Sequence, residues 1–491
     1  MGARWTVGRE RGSVNSTGVA RNRRARRRPS PMSSSSSKAA AKRARVTDDW
    51  RAFEAEGDAA RARGGCEAHE AREKYARAME AEEEDDGCSS RVWVKWALME
   101  RRCAVDGFDA LEAGLRVGLE RAMEEALRAG ADAERLGIAK GVRDVGSQLA
   151  LLLCQRARED EAGDLLEFLG YTHRLGPDVL SYVLAPTDFE KPPDGIVYAR
   201  DGALSDEVLS WLRDEAFPFS DGTRTIENGF WDEHDYWNPK TAFFSYVQER
   251  RASPKDAESK MDVLVHVVRD VAAEYFPAVR DAEYAEWWAH ARPHADGHQM
   301  HFDSHDEGIG GVKHPICSVI VYVDGCCGGP TLVTNQLDTS TELASRGWLV
   351  YPKTGRIAVF NGDYLHGVIP GRGVRPEPDA RATATAPIDK RRTLMIAFWP
   401  DMDVLRTGHE LGDWYPAGSA RPFPPPSANA PSWRHSFDLT PGFDVESLSR
   451  KKTDAVDVHP VPVSTPWIRI DGAKIPTGAP IPRYDVCFQG F

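Results

Sequence analysis

No long hydrophobic run occurs in this 491-residue sequence: its most apolar stretch, LALLLC at 149–154, falls far short of the roughly 20 residues that a membrane-spanning helix needs. No transmembrane anchor is expected. A secretory apolar segment is missing as well. The eight cysteines (Cys66, Cys88, Cys103, Cys154, Cys317, Cys326, Cys327 and Cys487) make no CxxC pair and no compact spacing, so neither a zinc module nor a disulfide framework is indicated. Reduced thiols inside the cell are the expectation. Acid is scarce only at the start, where residues 1–45 hold thirteen Arg or Lys against Glu10 alone. With a net charge of -12 for the whole chain, the remainder therefore carries about -24.

That basic start, RNRRARRRPSPMSSSSSKAAAKRAR, is rich in Arg, Ser and Ala, a composition that cannot bury a core, and disorder is expected over 1–45. It fits a nuclear import signal, a nucleic-acid-binding arm or an organelle transit peptide. The compact Arg cluster and the lack of an amphipathic apolar face favour a nuclear or cytoplasmic address, with the transit peptide left open.

The rest is long enough, at 41% apolar and 28% charged overall, for two or three domains with real cores. Residues 46–185 are rich in Ala, Glu, Arg and Leu, with apolar residues at helical intervals in EAREKYARAMEAEEED and DALEAGLRVGLERAMEEALRAG. The pattern predicts an all-helical domain. Ala71, Tyr75 and Ala78, and again Ala162, Leu166 and Leu169, have spacings similar to the second helix of a tetratricopeptide unit. The two sets lie 91 positions apart, which is no multiple of a 34-residue repeat, so a tetratricopeptide-like array and a plain bundle stay open.

After PTDFEKPPDG the texture changes. GIVYARDGALSDEVLSWLRDEA predicts a strand and an amphipathic helix, and DAESKMDVLVHVVRDVAAEYF a second helix with Met261, Leu264, Val268, Val271 and Tyr275 on one stripe. From 284 onward short strands dominate: EYAEWWAHARPH, ICSVIVYVDG, GGPTLVT, GWLVYPKTG, RIAVFNGD and RRTLMIAFW are β-branched or aromatic and bounded by Gly, Pro or Asp turns. An antiparallel sandwich or small barrel follows. Residues 411–491 are Pro-rich and predict an extended C-terminal extension, docked in part by Trp433 and Trp467.

The stretch HQMHFDSHDEG at 298–308 concentrates imidazoles and carboxylates. In an extended segment His301 and Asp303 leave the same face side by side, where one ion meets both. A third ligand is offered by His366, just beyond the turn Asn361-Gly362-Asp363. Two imidazoles and one carboxylate form the facial triad of non-haem iron, which leaves three positions for substrates. Arg391 and Thr393 open RRTLMIAFW with the same alternation, and a guanidinium beside a hydroxyl is a seat for a diacid.

The ordered set HFD, ICSVIVYVDGCCGGPTLV, PKTGRIAVFNGDYLHGV and RRTLMIAFW resembles the iron and 2-oxoglutarate-dependent oxygenases of the prolyl 4-hydroxylase type over roughly residues 190–405. The resemblance rests on His301, Asp303, Gly328, Gly329, Thr331, His366 and Arg391. It implies a double-stranded β-helix (jelly roll) with supporting helices over 190–410, iron held by His301, Asp303 and His366, and 2-oxoglutarate held by Arg391 and Thr393. It further implies Ser318 as a cosubstrate contact, O2 as the oxidant and room for ascorbate. In such proteins the basic residue stands about ten positions after the distal His, the place of Arg375 here; RPEPD cannot continue a central strand, so Arg391 is preferred, with Arg392 and Arg375 behind it. A second HxD pair, His294 and Asp296, shows how little that pattern says alone; His294, His298, His305 and His314 are read as loop or supporting residues. Phe230, Trp231, Tyr236, Trp237, Phe243, Phe244, Trp287 and Trp288 suit a strand core better than a substrate wall.

The sequence therefore predicts a multidomain α+β protein, helical first and β-rich second, that hydroxylates a C–H of a protein or peptide side chain. The helical domain is available for a protein partner. Two alternatives remain: a nucleic-acid demethylase of the same superfamily, suited to the basic arm but not to a catalytic half that is not basic, and a non-catalytic helical adaptor with a degenerate barrel.

Overall fold

The computed structural model describes residues 50–61, 67–82, 90–103, 108–132, 135–184, 186, 189–218, 229–234, 245–304, 312–325, 327–372, 390–401, 420–427, 429–439, 454–474 and 478–490. All of them belong to one compact unit, residues 46–491. Residues 1–45 and 373–389, which include RPEPD, lie outside the described residues. Among the described residues no helix is long and apolar enough to cross a membrane.

The first part is helical, as the periodicity requires: a helix over 50–61 is followed by α1 (Glu67–Glu82), α2 (Ser90–Cys103), α3 (Asp109–Arg128), α4 (Lys140–Gln155) and α5 (Glu159–Phe168). Each packs on the next in sequence. Ala71, Tyr75, Ala78, Ala162, Leu166 and Leu169 are all fully buried between them. Helical spacing places those residues on inward faces, where an alanine lets neighbouring backbones approach.

Among the described residues fifteen strands follow the chain as β1 (His173–Leu175), β2 (Val197–Asp201), β3 (Ser245–Glu249), β4 (Tyr284–Pro293), β5 (His298–His301), β6 (Cys317–Tyr322), β7 (Thr331–Leu337), β8 (Gly347–Val350), β9 (Ile357–Asn361), β10 (Tyr364–Val368), β11 (Lys390–Trp399), β12 (Ala420–Pro422), β13 (Val456–Val458), β14 (Val461–Val463) and β15 (Trp467–Arg469). Besides a two-stranded β1-β15 sheet, the larger sheet has the order β12-β3-β4-β11-β6-β9-β2-β13 and the smaller β14-β8-β7-β10-β5. Apart from the parallel β12–β3 pair, the strands of both sheets pair antiparallel. Ile320, Tyr322, Val333, Trp348, Val350 and Phe360, drawn from both, share one buried cluster, so the sheets face one another.

The outer faces are covered as well. Helix α6 (Lys260–Tyr275) packs Met261, Leu264, Val268 and Val271 against Val319, Val321, Ile357 and Val359 of the larger sheet. Its start is fixed by Ser259, whose Oγ accepts from the Asp262 amide while donating to the Asp262 carboxylate. Met300, Leu332, Leu349 and Leu365 of the smaller sheet share a core with the helices. Strands continue past the Pro-rich boundary too: β12 and β13 join the larger sheet, β14 the smaller and β15 pairs with β1, and Trp433 and Trp467 are both buried. Short β-branched runs between the prolines make these strands possible at sheet edges, where Pro costs no ladder bond.

Polar contacts tie the helices to the strands. Gln155 Nε2 donates to the Pro370 and Gly371 carbonyls while its Oε1 accepts from Arg101. Arg102 pairs with Asp296 at 2.7 Å, and Arg372 donates to the carbonyls of Ser181, Tyr182 and Gln155. Gln489 Oε1 accepts from the Met300 amide on edge strand β5, closing a donor that would otherwise invite another strand. Replacing Gln155→Ala orphans buried groups on both sides and should cost about 1–3 kcal/mol. Urea unfolding followed by circular dichroism should show one shifted transition; two separate transitions would mean that the helices and sheets unfold independently.

Candidate metal centre

Strand pairing builds the centre. In the β5–β10 register His301 stands directly across from His366, and Asp303 follows two residues after His301. One ligand atom from each of His301, Asp303 and His366 lies within 4.8 Å of the other two. The His301 and His366 Nε2 atoms are each 3.7 Å from Asp303 Oδ1, and the imidazole centroids are 4.4 Å apart. Three residues far apart in sequence thus present two nitrogens and one oxygen to a common point.

Their orientations are fixed from behind. His301 Nδ1 faces the Gln299 carbonyl at 2.8 Å and His366 Nδ1 the Tyr364 carbonyl at 3.0 Å. A carbonyl only accepts, so each Nδ1 carries the proton and each Nε2 keeps its lone pair. Burial first, and then the nearby His366, holds the His301 imidazole down to about 4, which keeps it neutral. Ser318 Oγ donates to Asp303 Oδ2 at 2.5 Å, so Oδ1 is the oxygen turned toward the histidines. His314 Nδ1–H donates to the Asp303 carbonyl at 2.7 Å, and its Nε2 lies 3.2 Å from Asp338.

The donors fit a divalent transition metal. His366 is 2% exposed, and its Nε2 has no hydrogen-bond partner, a condition that costs about 1–3 kcal/mol unless something binds there. His301 is 33% exposed, which leaves one side of the cluster open. The two imidazoles and one carboxylate suit Fe(II) with open positions.

Beside the cluster lies a pocket lined by Trp288, His290, Arg292, His298, His301, Ile320, Thr331, His366, Arg391, Thr393 and Met395. Alternation along β11 sends Arg391, Thr393 and Met395 into it, and on the paired β4 their cross-strand neighbours Arg292, His290 and Trp288. Arg391 Nη1 donates to the Gly329 carbonyl at 2.7 Å, and its guanidinium lies 5.6 Å from the Tyr322 ring centre. Gly328, at φ 94°, passes so close that a Cβ there would lie 3.0 Å from Arg391 Nη1. At Gly329 a Cβ would stand 1.9 Å from the Ile369 carbonyl oxygen. The Gly-Gly turn is thus what lets the backbone hold the guanidinium.

Several expectations change. Arg392 is no fallback for the diacid seat: one residue out of phase, it faces the other side of the sheet, where Asp324 takes it at 2.5 and 2.9 Å and the carbonyls of Arg213 and Phe217 take the rest. Ser318, expected to touch a cosubstrate, donates to Asp303. Arg375, His305, Tyr236, Trp237, Phe243 and Phe244 lie outside the described residues. His294 Nε2 donates to the Arg102 carbonyl, away from the cluster. Phe230 and Trp287 pack in an aromatic core with Phe217 and Phe437, whereas Trp288, one residue on, lines the pocket.

His290 and Arg292 were not singled out by the sequence reading, although the alternation W-A-H-A-R in EWWAHARPH carries the signal. Burial, and next the Arg292 charge, hold the His290 and His298 imidazoles far below their usual value. At neutral pH they contribute hydrogen bonds, and the guanidiniums contribute the charge.

No family model matches the chain, and no curated protein does. Among solved structures it is similar to a prolyl-4-hydroxylase of Pseudomonas putida, with 15% identity over 42% of this chain and 94% of that one, at a TM-score of 0.27. It is similar also to a truncated viral collagen prolyl hydroxylase from Paramecium Bursaria Chlorella virus-1, with 14% identity over 44% of this chain and 97% of that one, TM-score 0.23. A third is iron-bound HygX from Streptomyces hygroscopicus, with 11% identity over 42% of this chain and 83% of that one, TM-score 0.23. At these identities and scores nothing is transferred from those proteins to this chain.

If Ser318 aims the carboxylate, Ser318→Ala should weaken Mn(II) binding about 10- to 100-fold, and Ser318→Thr should restore most of it. Calorimetric titration measures both. Equal affinity for wild type and Ser318→Ala would mean that the hydrogen bond plays no part in holding the ligand.

Proposed function

We propose that this chain is an Fe(II)- and 2-oxoglutarate-dependent dioxygenase whose β-region, residues 190–410, is a double-stranded β-helix. From 284 to 399 the chain crosses between the sheets at every step but the β7–β8 hairpin, with β4, β6, β9 and β11 in one and β5, β7, β8 and β10 in the other, which supports that fold. The observation that carries the activity is the convergence of His301, Asp303 and His366, with both Nδ1–H groups tied to carbonyls, beside a pocket that holds Arg391 and Thr393.

Each group then has a task. His301, Asp303 and His366 hold Fe(II) on one face. Arg391 and Thr393 hold the far carboxylate of 2-oxoglutarate, the guanidinium in a charge-assisted pair and the hydroxyl as a further donor. Met395 and Ile320 line the same pocket with apolar surface and exclude water from its walls. Bound Fe(II) supplies the redox chemistry that couples decarboxylation of 2-oxoglutarate to hydroxylation of a substrate C–H.

For the substrate we take a protein or peptide side chain, prolyl first, on the ground of the sequence resemblance, and for the helical part, residues 46–185, a protein partner. Ascorbate is an accessory reductant in this reading. The nucleic-acid and adaptor alternatives are separated from it by measurement. Protein purified without oxygen and given Fe(II), labelled 2-oxoglutarate and O2 should form succinate, and His301→Ala and His366→Ala should not. A candidate peptide should gain the mass of one oxygen atom. No succinate from wild type would leave the adaptor reading, and retention on RNA or DNA that weakens steeply with salt would favour the demethylase.

A further inference from the structure

The strand that carries His301 is irregular where it enters the site. Between the pairs His366–His301 and Val368–His298, β5 takes three steps where β10 takes two, so one extra residue bulges from β5. A regular strand would send His298 and His301 to opposite faces, because they are three positions apart. The bulge turns both into the pocket beside the metal ligands, while Met300 is buried against the helices and Gln299 is exposed. Gly367 lets β10 follow the bulge, since a Cβ there would stand 2.8 Å from the His298 carbonyl oxygen. The His298 ring centroid lies 4.4 Å from that of His301, the same separation that His301 and His366 keep from each other. Its nitrogens are not among the three ligand atoms that already converge. A turn of its own side chain, half-buried on an edge strand, brings one of them to the same ion.

We infer that His298 is a fourth, exchangeable protein ligand of the metal, holding one coordination position until the cosubstrate takes it; the exchange rests on the oxygenase reading above. Two imidazoles and one carboxylate leave three positions open, so there is room for a further ligand. An imidazole has two ring nitrogens, and a hydrogen bond made by one leaves the other for an ion, as at His301 and His366. Burial, and next the Arg292 charge, keep the His298 ring neutral, the state in which it can ligate. The pocket's free volume of about 30 Å³ takes a water or two and not a five-carbon diacid, so a side chain must yield when the diacid enters. Arg391, Thr393 and His290 stand on β11 and β4, which are paired on both sides, whereas His298 stands on an edge strand of four residues. It is the side chain placed to move. The exchange couples two bindings in opposite senses: whatever factor His298 adds to metal affinity, the diacid must overcome.

The test uses full-length protein without oxygen, as wild type, His298→Ala and His298→Phe; phenylalanine keeps a ring against His301 but offers no nitrogen. Electron paramagnetic resonance of the Cu(II)-loaded protein counts the coordinated nitrogens. Wild type should show three, falling to two when 2-oxoglutarate is added, and both variants two throughout. Calorimetry should find Mn(II) bound about tenfold more weakly by both variants, and 2-oxoglutarate bound about tenfold more tightly by their Mn(II)-loaded forms. Two nitrogens in wild type without the diacid would overturn the inference. So would a loss of both affinities in His298→Ala that His298→Phe repairs, because His298 would then serve His301 by packing alone. Three nitrogens in a wild type that binds no 2-oxoglutarate would uphold the fourth ligand and overturn its exchange together with the oxygenase reading.

Discussion

One register carries the site: β10 lies antiparallel to β5 so that His366 meets His301. A slip of one residue would turn both imidazoles to the opposite face, because side chains alternate with a period of two. The register is over-determined. β10 is bound on its other edge by β7, where His366 pairs with Val333, and on the far side of the smaller sheet Met300, Leu332 and Leu365 are buried against the helices. Exposing that apolar set to slip the strand would cost roughly 1.5–3 kcal/mol for each large side chain, which outweighs the about 1–3 kcal/mol spent on an orphaned His366 Nε2. Packing therefore holds two imidazoles together, although their mutual approach and their burial both work against it.

This explains why a helical region and a C-terminal segment surround a β-region of this size. β5 is the edge of its sheet and only four residues long, so it lacks a second strand to steady it. Gln489 takes the Met300 amide, Tyr484 stacks edge-on against Phe302 with centroids 5.6 Å apart, and Arg102 pairs with Asp296 just before the strand. Each contact comes from residues more than 180 positions away in sequence. The helices and the tail thus stabilise the position of one ligand-bearing strand, and the single compact unit follows from that sharing of cores.

Much of this was legible in the sequence, and the reasons differ by element. Helices α1 to α6 were marked by apolar residues at helical spacing, and β6, β9 and β11 by β-branched runs too short for helices. His301, Asp303 and His366 were legible because two of them alternate in an extended segment and the third follows a turn; Arg391 and Thr393 obey the same alternation. What could not be read was pairing. Nothing local to β6 says that Asp303 stops beside Ser318 and takes its hydroxyl. Arg292 was passed over because its importance lies in facing Arg391 across β4 and β11, a contact between positions nearly a hundred residues apart. The strands β12 to β15 were hidden by proline, which marks an edge strand and a loop alike.

The inner face of β4 also gives the pocket a direction. From Arg292 through His290 and Trp288 to Glu286, its side chains run from a cation to a neutral imidazole, an indole and a carboxyl, opposite Arg391, Thr393, Met395 and Ala397. Ser318, which holds Asp303, pairs with Ala397, and Tyr322, which lies beside the Arg391 guanidinium, pairs with Thr393. The Asp303 carboxylate and the Arg391 guanidinium are therefore separated along one ladder, with apolar Met395 and Ile320 between them.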